Sequence, residues 1–348
     1  MESAEDQGLD ATPTRRAALT VKDIARAAEV SPMTVSRVLS GGKNVRPALR
    51  EHVEQVIADL GYHRNENARS LRPGQRSGLV GVLITNIGNP YYAGVVQGIE
   101  QVVGATGRRI LVATTNEDGD LERQLLSDFL GRQVEGLIVV PVGQDGERFA
   151  AARRNDVPLV LASRTVASVA ADAVLIDDVR GAHEATTLML EAGHRRIAFL
   201  GNKVSVSTGQ RRLRGFRGAF ADHGSVPDED LVVLGLQDTA TAETAMRELL
   251  GTPDRPTAVF AANNRISIGA IRAIAKATAD GSLETPPHLS AFDSFDFADM
   301  APIPLSVIDH DPSELGRVAA RMLLSRMDGS ADGAAPRLVE LPVHLVHH

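Results

Sequence analysis

Residues 19–45 read LTVKDIARAAEVSPMTVSRVLSGGKNV, and this stretch holds two short helical patterns separated by almost nothing. Thr20 is a good N-cap, with Asp23 three residues on to face the helix dipole, and Val21, Ile24, Ala25 and Ala28 fall on one stripe. Glu29-Val30 is too short to be more than a turn. Ser31 then caps a second helix with Pro32 at its first position, where a missing N–H costs nothing. Val35, Val38 and Leu39 face inward, and Gly41-Gly42 stops the helix. A third runs from Pro47 to Leu60, with Leu49, Val53, Val56, Ile57 and Leu60 on one face and Gly61 at its end. The reading is an all-α helix-turn-helix head over residues 19–62.

On either side of this head the pattern changes. Residues 1–18 are polar and aperiodic, the composition of a disordered leader. Residues 63–77 form a basic, polar linker with room for one short helix at 67–71 before Pro73-Gly74. From Gly78 onward apolar runs at 79–84, 109–113, 136–140, 159–161, 173–176, 196–200, 231–234, 258–261 and 289–292 alternate with amphipathic helical stretches. The helices fall at 92–103, 121–131, 181–192, 213–223, 241–250, 267–279 and 312–327. Buried parallel strands joined by crossover helices make a doubly wound α/β body, and its length suits two subdomains better than one. The expected division is an N-subdomain at about 78–168 and 300–326 and a C-subdomain at about 169–299 and 327–348. In open α/β sheets ligands bind beyond the carboxyl ends of the strands, so a cleft between the subdomains is the expected site.

Charge is distributed to match. The whole 348-residue chain carries -7, but residues 15–76 hold 12 Lys+Arg against 6 Asp+Glu. That is a net +6 on the head and linker, with -4 on residues 1–14 and -9 on residues 77–348. A basic head on an acidic body suits contact with a polyanion through the head alone. With no cysteine there is no disulfide, thiolate zinc site or cysteine nucleophile. No apolar run is long enough for a membrane span, and the acidic start is unlike an export signal. The expectation is a cytoplasmic, nucleoid-associated protein.

The 19–45 stretch, continued by LREHVEQVIADLGYHRNENARSLR, strongly resembles the lactose-repressor (LacI/GalR) family of transcriptional regulators. Further matches follow in family order: GVLITNIGNPYYAGVVQGIE, GRQVEGLIVVP, AGHRRIAFL, RRLRGF, FAANNRISIGAI, AFDSFD and LSVIDHDPSELGRVAARMLL. The resemblance covers about residues 19–346. It implies a body like the type I periplasmic binding proteins, and a homodimer on a pseudo-palindromic double-stranded DNA operator. A small polar effector, with a sugar as the family's prior, would set operator affinity, and repression is the family default. No cofactor and no metal is implied, and the chain shows no heptad tail to tie dimers together.

By the same resemblance Pro32 and Met33 hold the two positions that most distinguish operators, and Arg37 would reach a guanine in the major groove. Thr20, Ser31, Thr34, Ser36 and Asn65 match phosphate-contacting positions, though capping alone explains Thr20 and Ser31 equally well. In the hinge, Leu71 matches a leucine that wedges into the minor groove, Ala68 is small enough for two hinge helices to meet, and Arg69 and Arg72 can track phosphate. The head departs from the family at Arg46-Pro47, Leu49 and His52, which either loses a phosphate contact or moves it to Arg46 or Arg50. In the body, Tyr91, Tyr92, Ser163, Thr208, Arg212, Asn263 and Asp293 match effector-contacting positions. Departures there are Asn264 for an acid, Ser294 for a second acid, Ser163 for an acid of some sugar-binding members, and His310 for a glutamine.

Two rival readings are weighed against this one. A transporter's solute-binding protein shares the body but needs an export signal and no head. An α/β enzyme needs a reactive motif, yet there is no G-x-S-x-G, G-x-x-x-x-G-K-[ST] or post-strand G-x-G-x-x-G. His344, His347 and His348 alternate along a last strand and make a poor metal site without a fourth ligand.

Overall fold

The structure is a computed structural model that describes residues 19–42, 44–62, 77–331 and 333–348. The chain divides into two compact units at Arg72/Pro73. The leader and most of the linker, including Asn65, Ala68, Arg69, Leu71 and Arg72, lie outside the described residues.

The head is built of α1 (Val21–Ala27), α2 (Pro32–Leu39) and α3 (Pro47–Asp59). Its core is the expected one: Ile24, Ala25, Ala28, Val35, Val38 and Val53 are buried. Glu29 makes the turn between α1 and α2 at φ 53°, a left-handed conformation that costs a non-glycine residue energy but reverses the chain in one step. Leu60, expected on the inward face, is 40% exposed because it is the C-cap of α3 and lies past the last helical turn.

In the body, β1 (Leu79–Ile84), α4 (Pro90–Gly104), β2 (Arg109–Thr114), α5 (Gly119–Gly131), β3 (Gly136–Val139), α6 (Ala150–Arg154), β4 (Leu159–Ala162) and β5 (Asp172–Ile176) come first. Then follow α7 (Asp178–Glu191), β6 (Ile197–Leu200), α8 (Ser207–Asp222), β7 (Val232–Val233), α9 (Thr239–Leu250), β8 (Ala258–Ala261), α10 (Asn264–Ala279) and β9 (His288–Phe292). The chain finishes with β10 (Leu305–Asp309), α11 (Pro312–Met327), β11 (Leu338–Leu341) and β12 (His344–His347). Among the described residues the strands form two six-stranded sheets, ordered β11-β5-β4-β3-β1-β2 and β12-β10-β9-β8-β6-β7. All pairings are parallel except β10 with β12. Central strands such as β3 and β8 are buried throughout, as expected for strands covered by helices on both faces.

The subdomain boundaries differ from the sequence expectation in three places. β5 pairs with β4 and so belongs to the first sheet, because all five of its residues are buried there. β10 pairs with β9 in the second sheet, and β11 returns to the first beside β5. The chain therefore crosses between subdomains three times: after β5, between β10 and α11, and between β11 and β12. Helix α11 packs on α4 and on β3–β5, which keeps it in the first subdomain.

Candidate functional site

Two surfaces bring together the residues singled out by sequence. On the head, Ser31 Oγ accepts the Thr34 N–H at 3.1 Å and lies 2.9 Å from Thr34 Oγ1, so both hydroxyls are used in capping α2. The Thr20 N–H and hydroxyl both donate to the Asp23 carboxylate, at 2.9 and 2.7 Å. Those bonds hold the Asp23 carboxyl below its ordinary value. Pro32 with Ser36 and Met33 with Arg37 are i, i+4 pairs, so they share one face of α2. Met33 is 64% exposed, and the Arg37 side chain is exposed with no partner among the described residues. Of the two alternatives for the displaced contact, Arg50 is turned inward, donating to the Gly42 carbonyl, while Arg46 is exposed. His52 Nε2 lies 3.3 Å from the Ala28 carbonyl and ties α3 to the turn.

The second surface is a cavity of about 270 Å³ between the two sheets of the body, and Tyr91, Tyr92, Ser163, Thr208, Arg212, Asn263 and Asp293 all line it. The polar lining comes largely from the carboxyl ends of strands: Thr85 and Asn86 after β1, Asn116 and Glu117 after β2, Ser163 and Arg164 after β4. Asn202, Asn263 and Asp293 follow β6, β8 and β9 on the other side. Asn116, Glu117, Ser163 and Asp293 hold left-handed φ of 50°, 61°, 64° and 65°, so non-glycine backbone strain is concentrated at this rim. Such strain persists only where surrounding structure over-determines it, and it clusters at ligand sites.

Four of the six charged groups in the lining are ion-paired, Arg164 with Glu117 and Arg212 with Asp293, while Asp238 and Arg265 form no salt bridge among the described residues and act on each other only at longer range. Arg164 grips the Glu117 carboxylate through both terminal nitrogens, at 2.9 and 2.7 Å, and reaches the Tyr92 hydroxyl at 3.3 Å. Arg212 donates to both oxygens of Asp293 at 3.2 Å, to Asp178 at 2.8 Å and to the Ala262 carbonyl. Its guanidinium carbon lies 3.7 Å from the centroid of the Phe292 ring, which closes one face. One of its five N–H groups is left without a partner among the described residues. Burial works against the Arg212 charge, but Asp293 and Asp178 outweigh it and hold its pKa above the ordinary arginine value. Tyr91 donates to or accepts from Ser163 Oγ at 3.0 Å, and burial pushes its phenol well above the usual range.

Hydrogen bonds between lining loops join the subdomains across the cleft. Asn89, the cap of α4, and Asn264, the first residue of α10, exchange amide hydrogen bonds of 3.2 and 2.8 Å. An acid at 264 could only accept, so the asparagine found here lets both partners donate. The Thr165 N–H donates to Ser207 Oγ at 3.2 Å. His310, in the second crossing, is buried edge-on to the Tyr91 ring at 5.5 Å, and neither ring nitrogen has a partner among the described residues. Burial keeps its imidazole below the ordinary 6.5, against the pull of nearby Asp293. Sequence reasoning did not find Glu117, Arg164 or Asn202, which sit in loops whose positions depend on strand ends it placed only approximately.

Elsewhere in the body, His344 sits 3.8 Å from Asp309, and His347 Nδ1 lies 2.9 Å from Ser306 Oγ. No group of three or more His, Asp or Glu among the described residues is placed to hold a metal ion. No helix among them is long and apolar enough to cross a membrane.

Comparison with known proteins agrees with this geometry. Residues 20–65 match the family described as bacterial regulatory proteins, lacI family, and residues 77–348 match periplasmic binding proteins and sugar binding domain of LacI family. The ribose operon repressor of Haemophilus influenzae is 32% identical over 310 residues, which cover 88% of this chain and 92% of that one. A solved complex of the transcriptional regulator CelR with cellobiose is 30% identical, with a TM-score of 0.69 over 94% of this chain and 99% of the other. The lac repressor dimer bound to operator and the anti-inducer ONPF is 24% identical and superposes with a TM-score of 0.80 over 95% and 98% of the two chains, a likeness of fold.

Proposed function

The chain belongs to the LacI family of bacterial regulatory proteins, DNA-binding transcriptional regulators, and on that premise we propose that it is a repressor whose operator affinity is set by a small neutral polyol, a sugar, bound in the body cleft. Two copies would bind a pseudo-palindromic operator, because two-fold symmetry in the protein is mirrored in its site. Phe297 and Met300, 74% and 72% exposed on the loop after β9, give the second subdomain an apolar patch for the second copy to cover. In the head, the free Arg37 beside Met33 and Pro32 reads base edges, while Thr20, Ser31, Thr34 and Ser36 fix register against phosphate. In the hinge, Asn65 touches phosphate, and Ala68, Leu71 and Arg72 act at the operator's centre.

The observation that carries the effector reading is the charge balance of the cavity. Of its three arginines, Arg164 and Arg212 are already held by Glu117 and Asp293, Arg265 is offset by Asp238 nearby, and the rest of the lining is mainly amides, hydroxyls and two tyrosines. An anionic ligand at Arg164 or Arg212 would have to break one of these pairs, whereas hydroxyl groups can both donate and accept among the amides. Selection of duplexes from a random pool, followed by titration of the winner at several salt concentrations, tests the DNA half; a symmetric site and a steep salt slope are expected. Calorimetric titration with D-ribose, cellobiose and ribose 5-phosphate tests the other half. Binding of the phosphorylated sugar alone would overturn the neutral-ligand reading.

A further inference from the structure

A continuous row of ion pairs runs from the cavity to two of the three crossings between subdomains. It begins at Asp293, which lines the cavity and is held by the terminal nitrogens of Arg212 at 3.2 Å. Arg212 Nε donates to Asp178 Oδ1 at 2.8 Å, and Arg211 Nε donates to Asp178 Oδ2 at 3.1 Å. Arg211 then reaches forward with Nη2 to the Glu340 carboxylate and to the Ile176 carbonyl, the latter at 3.4 Å. Ile176 ends β5 and Asp178 opens α7, so the first crossing lies between them. Glu340 lies in β11, just before the third crossing.

Position on the helix explains why the row needs both arginines. Neighbouring residues on α8 project in different directions, so one side chain turns to the cavity and the next to the crossings. Asp178, with no exposed surface, is the only shared element, one oxygen to each guanidinium. A carboxylate with no exposed surface, held between two cations, cannot lose its bond to one without redistributing the other, because bulk solvent does not reach it to replace the lost partner.

We propose that Arg211 and Glu340 are positioning residues that pass the state of the cavity to the crossings. A ligand that engages Asp293 or the unpartnered N–H of Arg212 alters the hold of Arg212 on Asp178, and Arg211 answers by changing its grip on β11 and on the end of β5. Neither Arg211 nor Glu340 lines the cavity. The link goes beyond the regulator reading; only its ligand arm rests on that reading.

The test uses the full chain and begins without ligand. Hydrogen exchange of the peptide spanning β11 is followed in the wild type, Asp293→Asn, Arg211→Leu and the double variant. Asparagine tolerates the left-handed backbone at 293, so the substitution perturbs charge with little strain. Asp293→Asn is expected to speed β11 exchange roughly three- to tenfold in the wild-type background and to have no further effect once Arg211 is leucine, the signature of coupled sites. An equal increase in both backgrounds, or none in either, overturns the proposal. Glu340→Gln, at a partly exposed side chain, repeats the cycle where Arg211→Leu fails to fold. In the ligand arm, a sugar that changes wild-type operator affinity is expected to lose that effect in Arg211→Leu while its own affinity for the DNA-free protein stays within about twofold. Retention of the effect would sink the proposal. If no sugar changes wild-type operator affinity, the effector reading fails while the exchange cycle still decides the row.

Discussion

Arg37 and His310 sit at opposite extremes of how a polar side chain is provided for. Arg37 is exposed and its guanidinium has no partner among the described residues, so its five N–H groups can meet a base edge without breaking a bond to any of them. Arg37→Ala should relax preference at one base pair per half-site, by about 1–3 kcal/mol, and leave the salt slope nearly unchanged. Selection from a random pool with wild type and variant side by side reads this directly, and an unchanged sequence preference would contradict it. His310 is buried with both ring nitrogens unpartnered, a cost of about 1–3 kcal/mol for groups of this kind. His310→Leu removes those nitrogens at similar volume, so the body should unfold at higher urea than the wild type. A lower midpoint would mean that a water or ligand completes this site in solution.

Among the elements, those with strong local signals were legible in the sequence and those defined by long-range pairing were not. The head was read nearly residue by residue, because Thr20, Ser31, Pro32 and Pro47 announce helix starts and the apolar spacing has only one helical solution. In the body, α4, α7, α9 and α10 begin two or three residues earlier than their periodicity suggests. Their caps, Asn89, Asp177, Asp238 and Asn263, precede first turns that carry little apolar signal. β10, an inner strand of the second sheet, was missed as a strand, as was the return of β11 to the edge of the first sheet, which only pairing in space assigns. The seven cavity residues were found because a family resemblance carries positions that periodicity cannot. Helix packing makes its own prediction. A Cβ on Gly98 would stand 2.0 Å from the Ser313 carbonyl oxygen, and one on Gly316 would stand 2.1 Å from that of Val95. Helices α4 and α11 therefore meet backbone to backbone. Gly316→Ala should cost about 1–3 kcal/mol or more through overpacking, seen as a lower urea midpoint for the body.

At the scale of the whole molecule, mild acid should loosen the body through its buried histidines. His194, His288 and His310 are all held below the ordinary 6.5 by burial, with His194 and His347 adding to the effect at His288. A histidine whose folded pKa is depressed takes up its proton less readily in the native state than in the unfolded chain. Stability is therefore full above the unfolded value and falls as pH drops through 6.5 toward the folded values. Carboxylates held by hydrogen bonds, such as Asp172, act in a lower window. Burial alone would raise Asp172, but its hydrogen bonds to Arg326 and Arg337 win and hold it below the ordinary 3.8. The stability it contributes is lost only as pH falls below that region. Urea unfolding of wild type and His310→Leu at pH 7.5 and 5.5 isolates that histidine, because the carboxyls of Glu122 and Asp178, which burial raises, are common to both. The wild-type midpoint should be lower at pH 5.5, and His310→Leu should lose less over the same interval, since one of the three proton acceptors is gone. Equal losses for wild type and variant would show that His310 is protonated in solution as readily as a free imidazole, and that its burial between Tyr91 and Asp293 does not persist there.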